Sequence, residues 1–158
     1  MTQNQQAEEQ RYVEEIGIFF EQTGLPRMAG RILGRLSISD SPYQTAGELT
    51  EALMVSKGSI STVTRLLIRI GLIERVSLPG QRRDYFSIKS GASHQLLKDG
   101  IEQTITFRQL MERGLELTKG RTGVNRQWLE EMHGMYVFLE REFPRLVKRW
   151  EQERKANK

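Results

Sequence analysis

The sequence has no cysteine, which excludes disulfide bonds, thiolate metal sites and thiol-based redox sensing. It has only two histidines, His94 and His133, and no residues near either of them have the spacing of metal ligands. We therefore expect neither a metal ion nor a cofactor. The longest apolar stretch, residues 16–20, is far too short to cross a bilayer, and the polar, acidic N-terminus is unlike a secretory signal. These absences predict a cytoplasmic protein that makes no contact with a membrane.

The residue patterns of common catalytic sites are missing too. The chain has no Ser/His/Asp arrangement, no glycine-rich phosphate loop and no cluster of metal ligands. We therefore expect that the protein is not an enzyme.

Positive charge is abundant and concentrated in one segment. The whole chain has 24 Lys and Arg against 20 Asp and Glu, a net charge of +4. Between residues 57 and 83 the only acidic residue is Glu74, and the basic residues are Lys57, Arg65, Arg69, Arg75, Arg82 and Arg83. A local excess larger than that of the whole protein indicates a polyanionic partner, with nucleic acid as the leading candidate.

The order of predicted elements indicates a mainly α protein with a small β-hairpin. Apolar periodicity and turn residues predict helices over about 8–23, 26–37, 46–53, 57–70 and 97–119, and a last helix from Val124 that is kinked or restarted near Pro144. Strands are predicted over 72–78 and 84–88, around a Pro79-Gly80 turn. Helix, helix, turn, helix and hairpin form a winged helix-turn-helix domain over 25–90, flanked by an N-terminal dimerisation helix, 1–24, and a C-terminal helical dimerisation region, 91–158.

The predicted helix 57–70 has two distinct faces. Thr45 and Glu48 have the spacing of a capping box for the preceding helix, and Ser56 is placed to cap this one. One face is apolar, and the other carries Lys57, Ser59, Ser61, Thr62, Arg65 and Arg69. Small hydroxyl side chains and arginines suit the major groove of DNA, where Arg can bind guanine with two hydrogen bonds. The simpler interpretation is a solvated charged face.

Other arginines extend this basic surface. Arg82 and Arg83 follow the hairpin turn, where an arginine can enter a minor groove, although a solubilising pair is the alternative. Arg27, Arg31 and Arg35 recur every four residues on the helix before the motif, and we expect them to add contacts to phosphates.

Two apolar stripes predict a dimer interface. On the first helix, Val13, Ile16 and Phe20 mark one face. On the last helix, residues spaced by four, three, four and four approximate a heptad seam: Trp128, Met132, Met135, Leu139 and Phe143. The aromatic side chains of Trp128, Tyr136 and Trp150 are expected mainly to pack in this interface.

The central segment, residues 26–86, resembles the winged-helix regulators of the MarR superfamily, in particular their GbsR-like branch. The resemblance is carried by SKGSIS at residues 56–61, GLIERV at 71–76 and GQRRDYF at 80–86. It implies a bacterial homodimer that represses or activates transcription at a pseudo-palindromic DNA operator. By matching position, the recognition residues are Lys57, Ser59, Ser61, Thr62 and Arg65, and the wing residues are Arg82 and Arg83.

The resemblance has two further implications. It makes a small-molecule effector conceivable, including a quaternary ammonium held by cation–π contacts to the aromatic residues above. In many MarR wings an Asp two residues before the minor-groove arginine braces its guanidinium, but Gln81 stands at that position here. Either Asp84 takes over this role, or the wing is looser. The main alternative function is a winged-helix protein–protein interaction module without DNA binding.

Overall fold

The computed structural model describes residues 3–156, which divide at Ser93 and His94 into two compact units. The helices among these residues are α1 (Gln3–Gln22), α2 (Arg27–Ile38), α3 (Ala46–Leu53), α4 (Lys57–Arg69), α5 (Ala92–Leu117) and α6 (Val124–Ala156). The strands are β1 (Gln44–Thr45), β2 (Ile73–Ser77) and β3 (Asp84–Ile88). The predicted fold class, mainly helical with a small β wing, is confirmed.

Helix α1, which we predicted to be a dimerisation helix, belongs to the same compact unit as the winged helix. The reason is the close approach of α1 to α2 at two glycines, Gly17 and Gly30. A Cβ added to Gly30 would lie 2.6 Å from the carbonyl oxygen of Ile16 and 2.8 Å from the Cα of Gly17. Only a residue without a side chain fits at this crossing.

The core of the first unit fixes the position of α4. Fully buried side chains come from α2, α3, α4 and the hairpin: Ile32, Leu49, Ile60, Leu67, Leu72 and Ile73. Both predicted caps are present, since Thr45 and Glu48 form the capping box of α3 and the Ser56 hydroxyl accepts a hydrogen bond from the Ser59 amide. With its apolar face buried, α4 presents its other face to solvent.

The sheet has the antiparallel order β1-β3-β2. In the hairpin, Arg75 lies opposite Phe86 and Ser77 opposite Asp84. The short strand β1 was not predicted, and it pairs Gln44 with Phe86 and Thr45 with Tyr85. It connects the N-terminus of α3 directly to the wing.

The second unit is a pair of helices joined by a short loop. Along their length Phe107 packs on Tyr136 with ring centroids 4.5 Å apart, and Arg108 pairs with Glu140. Helix α6 continues through Pro144, so the predicted fresh start at that residue is not observed. A helix of 33 residues can lose the single hydrogen bond that proline removes.

Candidate nucleic-acid interface

The exposed face of α4 carries the predicted recognition residues. The side chains of Lys57, Ser61, Thr62, Arg65 and Arg69 are exposed, and Ser59 is half-buried behind the cap. The Arg65 Nε donates a hydrogen bond of 3.1 Å to the carbonyl oxygen of Ser61, which orients the side chain along the helix. The structure therefore brings all six residues to one helix of 13 residues, and five of them are exposed.

Several cations of this surface have no carboxylate partner. Within residues 3–156, Lys57, Arg65, Arg69 and Arg82 make no ion pair. Unpaired charges at exposed positions are available to an external anion without first breaking an internal contact.

The wing places both predicted arginines at the tip of the hairpin. Gly80 adopts a left-handed conformation with φ 76°, and the Gln81 amide donates a hydrogen bond of 3.1 Å to the Leu78 carbonyl. Arg82 and Arg83 follow this turn and are exposed. The turn therefore fixes the backbone position from which the two arginine side chains extend into solvent.

The bracing of the wing differs from the expectation for Asp84. That carboxylate lies 3.4 Å from the Arg75 guanidinium, on the neighbouring strand, and forms no ion pair with either wing arginine. The reason is the register, because Asp84 faces Ser77 and so lies diagonally across from Arg75. The acid that interacts electrostatically with Arg83 is Glu48, at the N-terminus of α3.

A concave surface connects α4 to the wing, and we call it the cationic groove. It has a volume of about 640 Å³ and is bordered on one side by the N-terminus of α3. The charged residues that line it are Lys57, Arg65, Arg75, Arg83 and Asp84. Arg75 was counted in the charged segment of the sequence but not assigned to the site. The hairpin register could have indicated its position, since it shares a sheet face with Asp84.

The structure gives Arg27, Arg31 and Arg35, which we expected to contact phosphates, carboxylate partners on α1. Arg27 and Arg31 lie 2.9 and 2.6 Å from the Glu14 carboxylate, and Arg35 lies 3.0 Å from that of Glu9. The Arg31 side chain also donates a hydrogen bond of 2.9 Å to the Leu53 carbonyl at the end of α3. These arginines are already neutralised by α1, and they attach that helix to the winged helix.

The contribution of Glu48 to the stability of the fold should depend on pH. Hydrogen bonds from the backbone and side chain of Thr45 lower the pKa of Glu48 below its ordinary value of 4.5, and the charge of Arg83 acts in the same direction. A carboxyl with a lowered folded-state pKa stabilises the fold above its unfolded pKa, and this contribution is lost as the pH falls through the folded pKa. We expect Glu48→Gln to be less stable than the wild type at pH 7.

The difference between wild type and Glu48→Gln should then shrink as the pH falls below 4.5, because the wild-type carboxyl also becomes neutral. Urea unfolding over a series from neutral to acidic pH measures this difference. Glu51→Gln, at an exposed position of the same helix, is the matched control. A difference that stays constant through the acidic range would contradict this role of Glu48.

The predicted dimer residues have different degrees of exposure. Trp128 and Met135 are 49% and 47% exposed, whereas Ile16, Phe20, Met132, Leu139 and Phe143 are half-buried. Val13 is only 5% exposed and packs in the core of the first unit, which leaves it little surface for a partner. Other large apolar side chains on the same helices are also exposed: Ile18, Phe19, Val137 and Phe138.

The three aromatic residues considered for an effector have different surroundings. Trp150 borders an apolar groove of about 480 Å³ between α5 and α6, and the Arg154 guanidinium lies 5.1 Å from its ring. Tyr136 packs on Phe107, and Trp128 is exposed. Within residues 3–156, no group of three or more His, Cys, Asp or Glu side chains could hold a metal ion, and no helix is long and apolar enough to span a membrane.

Comparison with known proteins gives consistent matches. A family model described as MarR family matches residues 23–84, and one described as MmpR5-like MarR family transcriptional regulator matches residues 91–153. The HTH-type transcriptional regulator MmpR5 of Mycobacterium tuberculosis (strain ATCC 25618 / H37Rv) is 35% identical over 129 residues, which cover 82% of this chain and 78% of that protein.

Two further relatives match different extents of the chain. The HTH-type transcriptional repressor OpcR of Bacillus subtilis (strain 168) is 32% identical over 81 residues, which cover 51% of this chain and 43% of that protein. A crystal structure described as a transcriptional regulator superposes with a TM-score of 0.71 at 32% identity, and the match covers 92% of this chain and 99% of that one. The likeness therefore includes the flanking helices as well as the central segment.

Proposed function

Since the chain belongs to the MarR family of transcriptional regulators, we propose that it is a homodimeric repressor that binds a pseudo-palindromic DNA duplex. Each protomer inserts α4 into a major groove and sets the wing, with Arg82 and Arg83, at the adjacent minor groove. Two such units related by a two-fold axis contact half-sites about 34–36 Å apart, one turn of the double helix. The relative OpcR is a transcriptional repressor, which supports repression as the mode of regulation.

The observation that carries this proposal is a contrast between two sets of arginines. Those of α2 are paired with carboxylates of α1, whereas Lys57, Arg65, Arg69 and Arg82 are exposed and form no ion pair within residues 3–156. Unpaired cations repel one another, so they weaken the fold slightly unless an anion binds them. A helix and a hairpin that both present such charges to solvent match the shape and charge of duplex DNA.

A salt titration tests the proposal. Fluorescence anisotropy of a labelled duplex should show that the logarithm of the binding constant falls linearly with the logarithm of salt concentration. The slope should be several units, about 0.9 for each phosphate neutralised. The alternative, a winged-helix protein–protein interaction module, predicts no duplex binding even at low salt. That result would exclude the proposed function.

The dimer forms through apolar residues of α1 and α6 in this proposal. Trp128 and Met135 project from α6 with about half of each side chain exposed, and Phe19 is 58% exposed on α1. Large apolar side chains at this spacing bury their surface against a second copy of the chain. We assign the half-buried Ile16, Phe20, Met132, Leu139 and Phe143 to the same interface, which is provided by the apolar faces of the proposed flanking regions, 1–24 and 91–158.

We expect the double variant Trp128→Glu, Met135→Glu to be a monomer, because a carboxylate buried in an apolar interface is costly. Sedimentation equilibrium should give twice the chain mass of 18.3 kDa for the wild type and a single chain mass for the variant. The control adds the same charges at exposed polar positions of α6, in Gln127→Glu, Gln152→Glu. A variant that dimerises as tightly as this control would show that these side chains lie outside the interface.

The proposal includes three finer assignments. The GbsR-like branch rests on the motifs of the central segment, and a small-molecule effector rests on the family alone. A cytoplasmic bacterial protein, without a cofactor or membrane contact, is consistent with its regulator relatives.

A further inference from the structure

We propose that the cationic groove binds a backbone phosphate of the DNA, and that Arg75 moves from Asp84 to this phosphate when DNA binds. This inference rests on the proposed function and assigns a binding residue that lies on neither the recognition face nor the wing tip. Arg75 lies on β2, and its side chain is 53% exposed.

The position of the groove carries the first part of the inference. A major groove and the adjacent minor groove are separated by a single sugar-phosphate strand. If α4 enters the one and the wing enters the other, that strand passes between them. The surface between α4 and the wing is the cationic groove, so a phosphate must come close to it.

The charges of the groove carry the second part. Four cations, Lys57, Arg65, Arg75 and Arg83, line it together with one carboxylate, that of Asp84. They come from two elements on opposite sides, α4 and the hairpin, so their fields add at its centre. Phosphate oxygens are favoured ligands of arginine, whose planar guanidinium can donate two parallel hydrogen bonds.

The third wall leaves room for a backbone phosphate to approach. It is formed by Thr45, Ala46 and Gly47 at the N-terminus of α3. Ala46 has only a methyl side chain, and Gly47 has none. A Cβ added to Gly47 would meet only the Thr45 hydroxyl oxygen, at 3.8 Å. This edge is therefore open to a ligand.

The Asp84 carboxylate, which pairs with Arg75, is the group that a DNA phosphate replaces. Their charged atoms are 3.4 Å apart, and the Asp84 side chain is 54% exposed. A half-exposed pair of this kind is weak and screened by salt, so the dense charge of DNA can displace it. In the free protein Asp84 pairs with the Arg75 guanidinium, and in the complex a phosphate oxygen replaces it. Asp84 therefore competes with DNA for Arg75 and opposes DNA binding.

Two substitutions with opposite effects test this proposal by anisotropy titration of a duplex. Arg75→Ala should weaken binding and lower the salt slope by about 0.9, the loss of one phosphate contact. Asp84→Asn should strengthen binding roughly 2- to 5-fold, the range that release of a half-exposed ion pair allows. This gain should disappear in the double variant, because Asp84 acts through Arg75.

Matched controls come from a similar exposed pair on α1, Arg11 and Glu15, whose charged atoms are 3.0 Å apart. Arg11→Ala and Glu15→Gln change the net charge by the same amounts and should leave the salt slope unchanged. Thermal melts of all variants check that each one is folded.

The outcomes separate this inference from the proposed function. If the wild type binds no duplex, the proposed function itself fails. If the wild type binds while Arg75→Ala has the same salt slope as Arg11→Ala, that result overturns only the proposed contact between Arg75 and a phosphate. A gain from Asp84→Asn that persists in the Arg75→Ala background would show a general charge effect and would also overturn it.

Discussion

Arg65→Ala is expected to lower affinity for the preferred operator by roughly 5- to 150-fold, while affinity for random duplex falls only a few-fold. A guanidinium that binds a guanine with two hydrogen bonds contributes about 1–3 kcal/mol of discrimination between bases, which corresponds to that range. Arg65 is exposed on α4, beyond the capped first turn, and its Nε is held by the Ser61 carbonyl. A preoriented arginine on a recognition helix is suited to reading a base edge.

Arg83→Ala is the comparison variant, since it should weaken DNA binding without changing the preference for the operator. Arg83 lies at the hairpin and should contribute mainly by charge, so its loss should weaken binding to operator and random DNA by similar factors. Mobility-shift titrations of both variants on both duplexes measure, for each variant, the ratio of its affinity for operator to its affinity for random DNA. If both substitutions lower this ratio by the same factor, the proposed division of roles between α4 and the wing is wrong.

Gly30→Ala is expected to have the largest effect on stability among single-methyl substitutions. The new Cβ would lie 2.6 Å from a backbone oxygen and 2.8 Å from a backbone carbon of α1, and neither atom can rotate away. Helix α1 must therefore shift, and overpacking of this kind costs about 1–3 kcal/mol and occasionally more. Over most of that range the cost exceeds the gain of about 1 kcal/mol that alanine brings to a helix, and the clash here is with backbone atoms.

Gly47→Ala is the matched control for this substitution. It also lies in a helix of the first unit, but its added Cβ would have only one neighbour, at 3.8 Å. We expect unfolding in urea to show a loss of stability for Gly30→Ala and no loss for Gly47→Ala. Equal stability of the two variants would mean that α1 and α2 do not cross as closely as the structure indicates.

The sequence was most informative where structure is determined locally. The helix 46–53 and the cap at Ser56 were predicted at the residues where they occur, because capping depends on side chains three positions apart. The exposed face of α4 followed from helical periodicity in the same way. Hydrogen bonds and apolar spacing within one element do not depend on the rest of the fold.

Contacts between elements were not accessible in this way. The spacing of Arg27, Arg31 and Arg35 indicated a common face, but no local pattern showed that Glu9 and Glu14 of α1 lie against it. The two-residue strand β1 is too short for a period to be visible, although it links the wing to α3. The sequence left open whether Asp84 braces a wing arginine or the wing is looser, and only the strand register places Asp84 beside Arg75.

The most direct test of the proposed function is selection of bound duplexes from a random oligonucleotide pool by the wild-type protein. We predict enrichment of an inverted repeat whose half-sites are separated by one helical turn, about 10–10.5 base pairs from centre to centre. The same selection with Arg65→Ala should give a weaker consensus within each half-site but the same spacing. Failure of the wild type to enrich any sequence, with the protein folded and the salt concentration low, would contradict the proposed DNA-binding function.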